Sequence, residues 1–188
     1  MPRWMLVMGQ VISYASALPV LLVTSYGALC LVHRSGIRWD VASGLLMLSL
    51  FGWSAGVIPA VIDGTIAVNR VMHNTQWVPG HFHFYLVLGL VSMVFGFMYF
   101  TVRHGSERKD GLIDRVAFWT FFVGGLGLCF TFLAAGAAGV PRRWAVHMPE
   151  WAGYDLAGGV YAGLIVFAVS IFVVRFLTGI RDAGSAEG

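Results

Sequence analysis

Apolar residues fill five long stretches of this chain, and polar residues gather in the segments between them. The stretches run from Met5 to Val32, Val41 to Ile62, His81 to Val102, Val116 to Ala138 and Leu156 to Leu177. Each is long enough to cross a hydrocarbon core, which takes about 20 residues of helix. In lipid a helix satisfies its own backbone hydrogen bonds. The pattern therefore predicts an all-α fold, a polytopic membrane helix bundle with five transmembrane helices. No internal repeat, low-complexity tract or soluble domain interrupts it, so residues 1–188 read as a single membrane domain.

Composition agrees with this reading. The chain is 58% hydrophobic and only 11% charged, whereas soluble domains are about a quarter charged. Its 24 glycines suit membrane helices, where small residues let backbones approach. Cys30 and Cys129 both lie in apolar stretches, as small buried hydrophobes do, and no CxxC pair is present. The opening "MPRWMLVMGQ" leads into an apolar run without the small-residue cleavage site of a signal peptide.

Charge gives an orientation. Arg34, Arg38, Arg103, Arg108, Lys109, Arg115, Arg175 and Arg181 fall on one side of the five spans; Arg3, Arg70, Arg142 and Arg143 fall on the other. The positive-inside rule makes the first side cytoplasmic, with the N-terminus outside and the C-terminus inside. The adjacent Arg142 and Arg143 run against the rule and suggest anions at the outer side.

Candidate chemistry sits in "WVPGHFHFYLVLGL", where His81 and His83 open an apolar run with only Phe82 between them. Positions two apart on a helix diverge by about 200° with about 3 Å of rise. The two imidazoles thus leave opposite faces at nearly one height, and a single metal cannot take both. Histidine is a common axial ligand of haem iron. A helix between two porphyrins could offer one histidine to each, placing the irons roughly 13–16 Å apart. The bland alternative is a pair of histidines hydrogen-bonded across helices.

"HNTQWVPGHFHF" resembles the signature of haem–copper oxygen reductase (cytochrome c oxidase) subunit I, in which a histidine precedes His-x-His at the start of the tenth helix. "GVPRRW" is similar to that family's Pro-Arg-Arg loop after the eleventh helix, and "ALPVLLVTSYGALCLVHRSGIRWD" resembles its eighth helix and following loop. The order and spacing of the three pieces agree over nearly the whole chain, closest to the B-type branch. The resemblance implies the C-terminal part, helices eight to twelve, of a twelve-helix subunit in the bacterial or archaeal cell membrane. It implies that His81 is the proximal ligand of the high-spin haem and a catalytic residue, and that His83 is an axial ligand of the low-spin haem. Arg142 and Arg143 would pair with haem propionates, for which guanidinium forks suit the carboxylates. His73 would stand near the propionates at the outer face, where pumped protons leave.

The sequence also departs from the family pattern. Beside His73, the A-type acidic metal ligand is replaced by Asn74, and four residues earlier the B-type aspartate is replaced by Asn69, so no non-haem metal is expected in this chain. The A-type proton-channel lysine aligns near Val23. Ser13, Tyr14, Ser16, Thr24, Ser25 and Tyr26 offer hydroxyls that either line a water path or bond back to helical carbonyls.

Essentials of the family are absent. The low-spin haem needs a second axial ligand, and the active-site copper needs three imidazoles and a cross-linked tyrosine. The remaining histidines, His33, His104 and His147, lie at the inner end or in an outer loop, and no His-His pair occurs. The expectation is a split catalytic subunit. A partner chain of the family's first seven helices would carry the copper ligands and the second haem ligand, although the chain could also be a fragment. Met1 followed by "PRW" reads as a translation start. Electrons from cytochrome c or a similar donor would pass through a copper-bearing subunit II to the haem at His83, then to the haem at His81, where O2 becomes water, coupled to proton translocation. The rival readings are a nitric oxide reductase, a non-catalytic haem relay and a transporter fragment. The first is disfavoured because Glu107, Glu150 and Glu187 all lie outside the spans.

Overall fold

The computed structural model describes residues 2–104 and 109–184, except the side chains of 103–104 and 182–184. Arg108, Glu107 and Glu187, and the side chains of Arg103 and His104, lie outside the described residues. The described residues form helices and connecting turns. Five spans are long and apolar enough to cross a membrane, at Arg3–Ser35, Val41–Gly64, Trp77–Val102, Leu112–Ala137 and Pro149–Arg181.

Local chemistry sets the ends of these helices. Helix α1 (Arg3–Ser35) stops at Gly36, whose φ of 58° is costly for any residue with a Cβ. Helix α2 (Val41–Gly64) starts with a capping box: the Ser43 N–H donates to Asp40 Oδ1 at 2.7 Å, and the Asp40 N–H donates to Ser43 Oγ at 2.9 Å. A one-residue break at Thr65 leads into the short helix α3 (Ile66–Met72). The third span is composite: α4 (Trp77–His83), a π-helical stretch Phe84–Val91, and α5 (Ser92–His104). It begins four residues before the predicted start at His81, because Pro79 falls in the first turn, where a missing N–H costs nothing. Helix α6 (Leu112–Ala137) and helix α7 (Ala152–Gly184) follow, the latter entered through a 3₁₀ turn at Pro149–Trp151.

The third span is the axis of the bundle. Leu45 and Leu48 of α2, Phe84, Val87, Leu88 and Phe95 of the third span, Phe121 and Cys129 of α6, and Ala168 and Phe172 of α7 form one buried cluster. Small residues allow the approach: a Cβ on Gly52 would lie 2.5 Å from the Gly89 nitrogen, and one on Gly136 would lie 2.0 Å from the Trp77 nitrogen. Helix α1 differs. It rests against α2 and α3 and buries none of its residues. Its polar links are a Tyr14–Thr65 hydroxyl pair and the Ile66 N–H donating to Gln10 Oε1 at 2.9 Å. Ser16 bonds back to the Ile12 carbonyl at 2.8 Å, the behaviour expected of a membrane serine.

At the bundle end where α5 finishes and α6 starts, Asp114 is buried and saturated. It accepts from Arg175 Nε at 2.7 Å and Nη2 at 2.6 Å, from Tyr99 Oη at 3.0 Å, and from the Gly111 N–H at 2.8 Å. Nearby, Asp110 caps α2 by accepting from the Val41 N–H at 2.7 Å. This network ties α5, α6 and α7 together.

Candidate functional site

The histidine end is built where two loops cross. Thr75 and Pro141 form an antiparallel bridge, flanked by Gln76 N–H donating to the Val140 carbonyl at 2.8 Å and Arg142 N–H donating to the Asn74 carbonyl at 2.9 Å. These bonds hold the loop after α6 against the start of α4. Trp77 Nε1–H donates to the Pro59 carbonyl at 3.1 Å and fastens the same point to α2. The start of α4 is thereby fixed from both sides.

His83 and His81 then project toward different neighbours. The His83 ring lies 5.0 Å from Phe132 of α6, while the His81 ring lies 6.3 Å from Tyr85, which stacks on Trp53 of α2 at 5.3 Å. Phe82, between them, is exposed. His83 lies 2.6 Å through Nδ1 from the Pro79 carbonyl. A carbonyl only accepts, so Nδ1 carries the proton and Nε2 keeps the lone pair. That is the orientation in which backbone partners hold metal-ligating histidines.

His83 opens on a cavity of about 400 Å³ between α4, α6 and α7, lined also by Gln76, Phe132, Tyr154, Asp155, Gly158 and Gly159. A Cβ on either Gly158 or Gly159 would meet nothing within 4 Å. The helix packing thus places no demand on these glycines, and they leave a flat wall opposite an imidazole. A planar, apolar, iron-bearing macrocycle fits such a cleft; a small polar ligand does not use its shape.

Three buried side-chain nitrogens in the described residues lack a hydrogen bond: His81 Nδ1, Arg142 Nε and His147 Nε2. An orphaned buried polar group costs about 1–3 kcal/mol, so a fold retains one chiefly where a partner is to be met. Two of the three belong to expected site residues. Arg143 is exposed and has a φ of 67°, a left-handed conformation that non-glycine residues adopt at some cost. His73 is exposed, with Nδ1 3.5 Å from Asn69 Nδ2. No group of three or more His, Cys, Asp or Glu side chains among the described residues could hold a metal ion by itself.

The structure also brings in residues that the sequence reading passed over. Asp63 is buried and accepts from Asn69 Nδ2 at 3.3 Å, while its carbonyl accepts from the same nitrogen at 3.0 Å. A carboxylate thus stands beside Asn69 after all, supplied from a different position. The predicted span ended at Ile62, which left Asp63 looking like a loop residue; α2 runs on to Gly64. Carboxylates are rare and functional at membrane depth, and that was the available signal. His147, set aside as a loop residue, lies with Nδ1 2.7 Å from Asp155 Oδ1, and Asp155 lines the His83 cavity. The π stretch beginning directly after His83 carries no sequence signature, although such distortions concentrate at functional sites.

Comparison with known proteins now has a geometry to meet. Residues 1–164 match the family model described as cytochrome C and quinol oxidase polypeptide I. Over 141 residues, 74% of this chain, the sequence is 29% identical to the cytochrome c oxidase polypeptide 1 of Halobacterium salinarum. The chain covers 23% of that relative's length.

Proposed function

We propose a function that proceeds from one fact: this chain belongs to the cytochrome c and quinol oxidase polypeptide I family. It is a multi-pass membrane protein of that family. Our reading is that it forms the C-terminal portion of a terminal oxidase catalytic subunit, which reduces O2 to water and translocates protons. His83 would be an axial ligand of a low-spin haem, seated in the cavity between α4, α6 and α7. His81, on the α2 side, would be the proximal ligand of the high-spin haem. Arg142 and Arg143 would hold the propionate edges, with His73 nearby at the outer face. The observation that carries this reading is the His83 cleft, where a backbone-oriented imidazole stands opposite the open glycine wall of α7.

Bound haem and copper would supply the electron transfer and the oxygen chemistry. The chain's own work is to hold and aim. Pro79 orients the His83 ring, the Thr75–Pro141 bridge sets Arg142 beside α4, and the packing of α2 on the third span fixes the side from which His81 is reached. Phe132 and Tyr154 supply aromatic walls to the cleft beside His83.

The copper ligands and the second low-spin ligand would come from a partner polypeptide supplying the balance of a twelve-helix subunit beyond the five spans here. That chain would cover α1, whose side chains are unburied. A copper-bearing subunit II and cytochrome c or a similar donor complete the assembly. By the positive-inside rule the C-terminus would lie in the cytoplasm and the N-terminus outside. To test this reading, the complex is purified from native membranes and its reduced-minus-oxidised and pyridine haemochrome spectra are recorded. Two haems per complex, one bis-histidine, and a separate N-terminal chain by mass spectrometry are expected. A complex without haem refutes the reading, and a single continuous polypeptide refutes the split.

A further inference from the structure

Among the described residues, His147 Nε2 is the buried unbonded side-chain nitrogen that the proposed function does not use. Its partner explains where it belongs. Asp155, in the first turn of α7, is both a wall of the His83 cavity and the residue paired with His147 Nδ1 at 2.7 Å. Helix N-termini favour a carboxylate, and Asp155 Oδ1 accepts the hydrogen bond from the Nδ1–H of His147. The His147 side chain is only 11% exposed, and its ring packs edge-on against Trp151 at 6.2 Å. The imidazole is therefore held in one orientation from two sides, with Nε2 buried and unspent.

The other buried, unbonded side-chain nitrogens, on His81 and Arg142, belong to residues expected to face a porphyrin. His147 shares their condition and lies on the same loop as Arg142, five residues further along. We propose that His147, braced by Asp155, is a positioning residue for the group bound at His83. Set between the Asp155 carboxylate and the carboxylate-bearing edge of that porphyrin, the ring is an imidazolium, and its Nε2–H donates a hydrogen bond to that edge, beside Arg142. The pair is then a neutralising contact: Asp155 holds the ring, and the ring meets the propionate. This inference rests on the haem assignment of His83 and adds an anchor to it.

The test uses the assembled complex. In His147→Gln, the donor toward the carboxylate is lost or misplaced, and the propionate charge is less compensated. The midpoint potential of the low-spin haem should fall, that of the high-spin haem should stay, and a propionate band should shift in the infrared redox difference spectrum. Asp155→Asn leaves the imidazole unbraced and should move the same band, and the double variant should add little to either single change. An unchanged low-spin potential and unchanged propionate bands in His147→Gln, with haem retained, overturn the inference. Loss of the low-spin haem from both single variants also overturns it, since a positioning residue leaves the His83–iron bond intact. A wild-type complex lacking a bis-histidine haem refutes the underlying assignment instead, so the two failures are told apart.

Discussion

The two ends of this bundle handle buried polar groups in opposite ways. At the Asp114 end the carboxylate accepts four hydrogen bonds, two from Arg175, one from Tyr99 and one from the Gly111 backbone. At the histidine end, His81, Arg142 and His147 each keep a buried nitrogen without a partner. Both ends carry charge into an apolar bundle, and the cost of doing so is the same in kind. One end meets the cost within the chain; the other leaves it open. Saturation marks a structural tie, and its absence marks a place prepared for something else.

Replacing the proposed ligands at the open end should give the largest effects. His83→Ala should abolish the low-spin haem signal, and His81→Ala should leave that signal and remove the haem that binds carbon monoxide. Reduced-minus-oxidised and CO-difference spectra of the two variant complexes check this, and loss of both haems from either variant would erase the distinction between the two faces.

At the saturated end the prediction inverts. Asp114→Ala removes the acceptor shared by Arg175, Tyr99 and the Gly111 N–H and should cost about 1–3 kcal/mol of stability, read as a lowered unfolding midpoint in detergent. Joint replacement of both partners by apolar residues of similar volume, Asp114→Leu with Arg175→Met, should restore most of it. Haem spectra of the surviving complex should not change. A spectral change there would show that the two ends are not independent.

Smaller effects separate packing glycines from cavity glycines. Gly136→Ala drives a methyl into the Trp77 backbone and should loosen the start of α4, costing about 1–3 kcal/mol as overpacking does. Gly158→Ala meets no protein atom and should raise helix propensity by about 0.5–1 kcal/mol, yet reduce low-spin haem occupancy because the methyl occupies the cleft. A Gly158→Ala complex with full haem content would show that the α7 wall is not the haem's contact surface.

How far the site was legible depends on which force placed each residue. Hydropathy found the five spans because a bilayer demands length and apolarity irrespective of neighbours. Helical geometry separated His81 from His83, since both lie within the regular turns of α4. The α2 extension that buries Asp63, and the π segment after His83, were not legible. Both are set by packing, where α2 and the third span approach closely enough that Gly52 meets the Gly89 backbone. The pairing of His147 with Asp155 was hidden because seven intervening residues fold back through a 3₁₀ turn.

Local periodicity and composition thus determined, without any neighbour, that this chain is a bundle of membrane helices with two imidazoles diverging from one of them. Those are properties of a helix in lipid. Only the tertiary structure decided which helix walls the His83 cleft and which buried nitrogens remain unpaired. Each of these depends on atoms brought together from distant parts of the chain, and burial alone makes an unmet hydrogen bond costly enough to be informative.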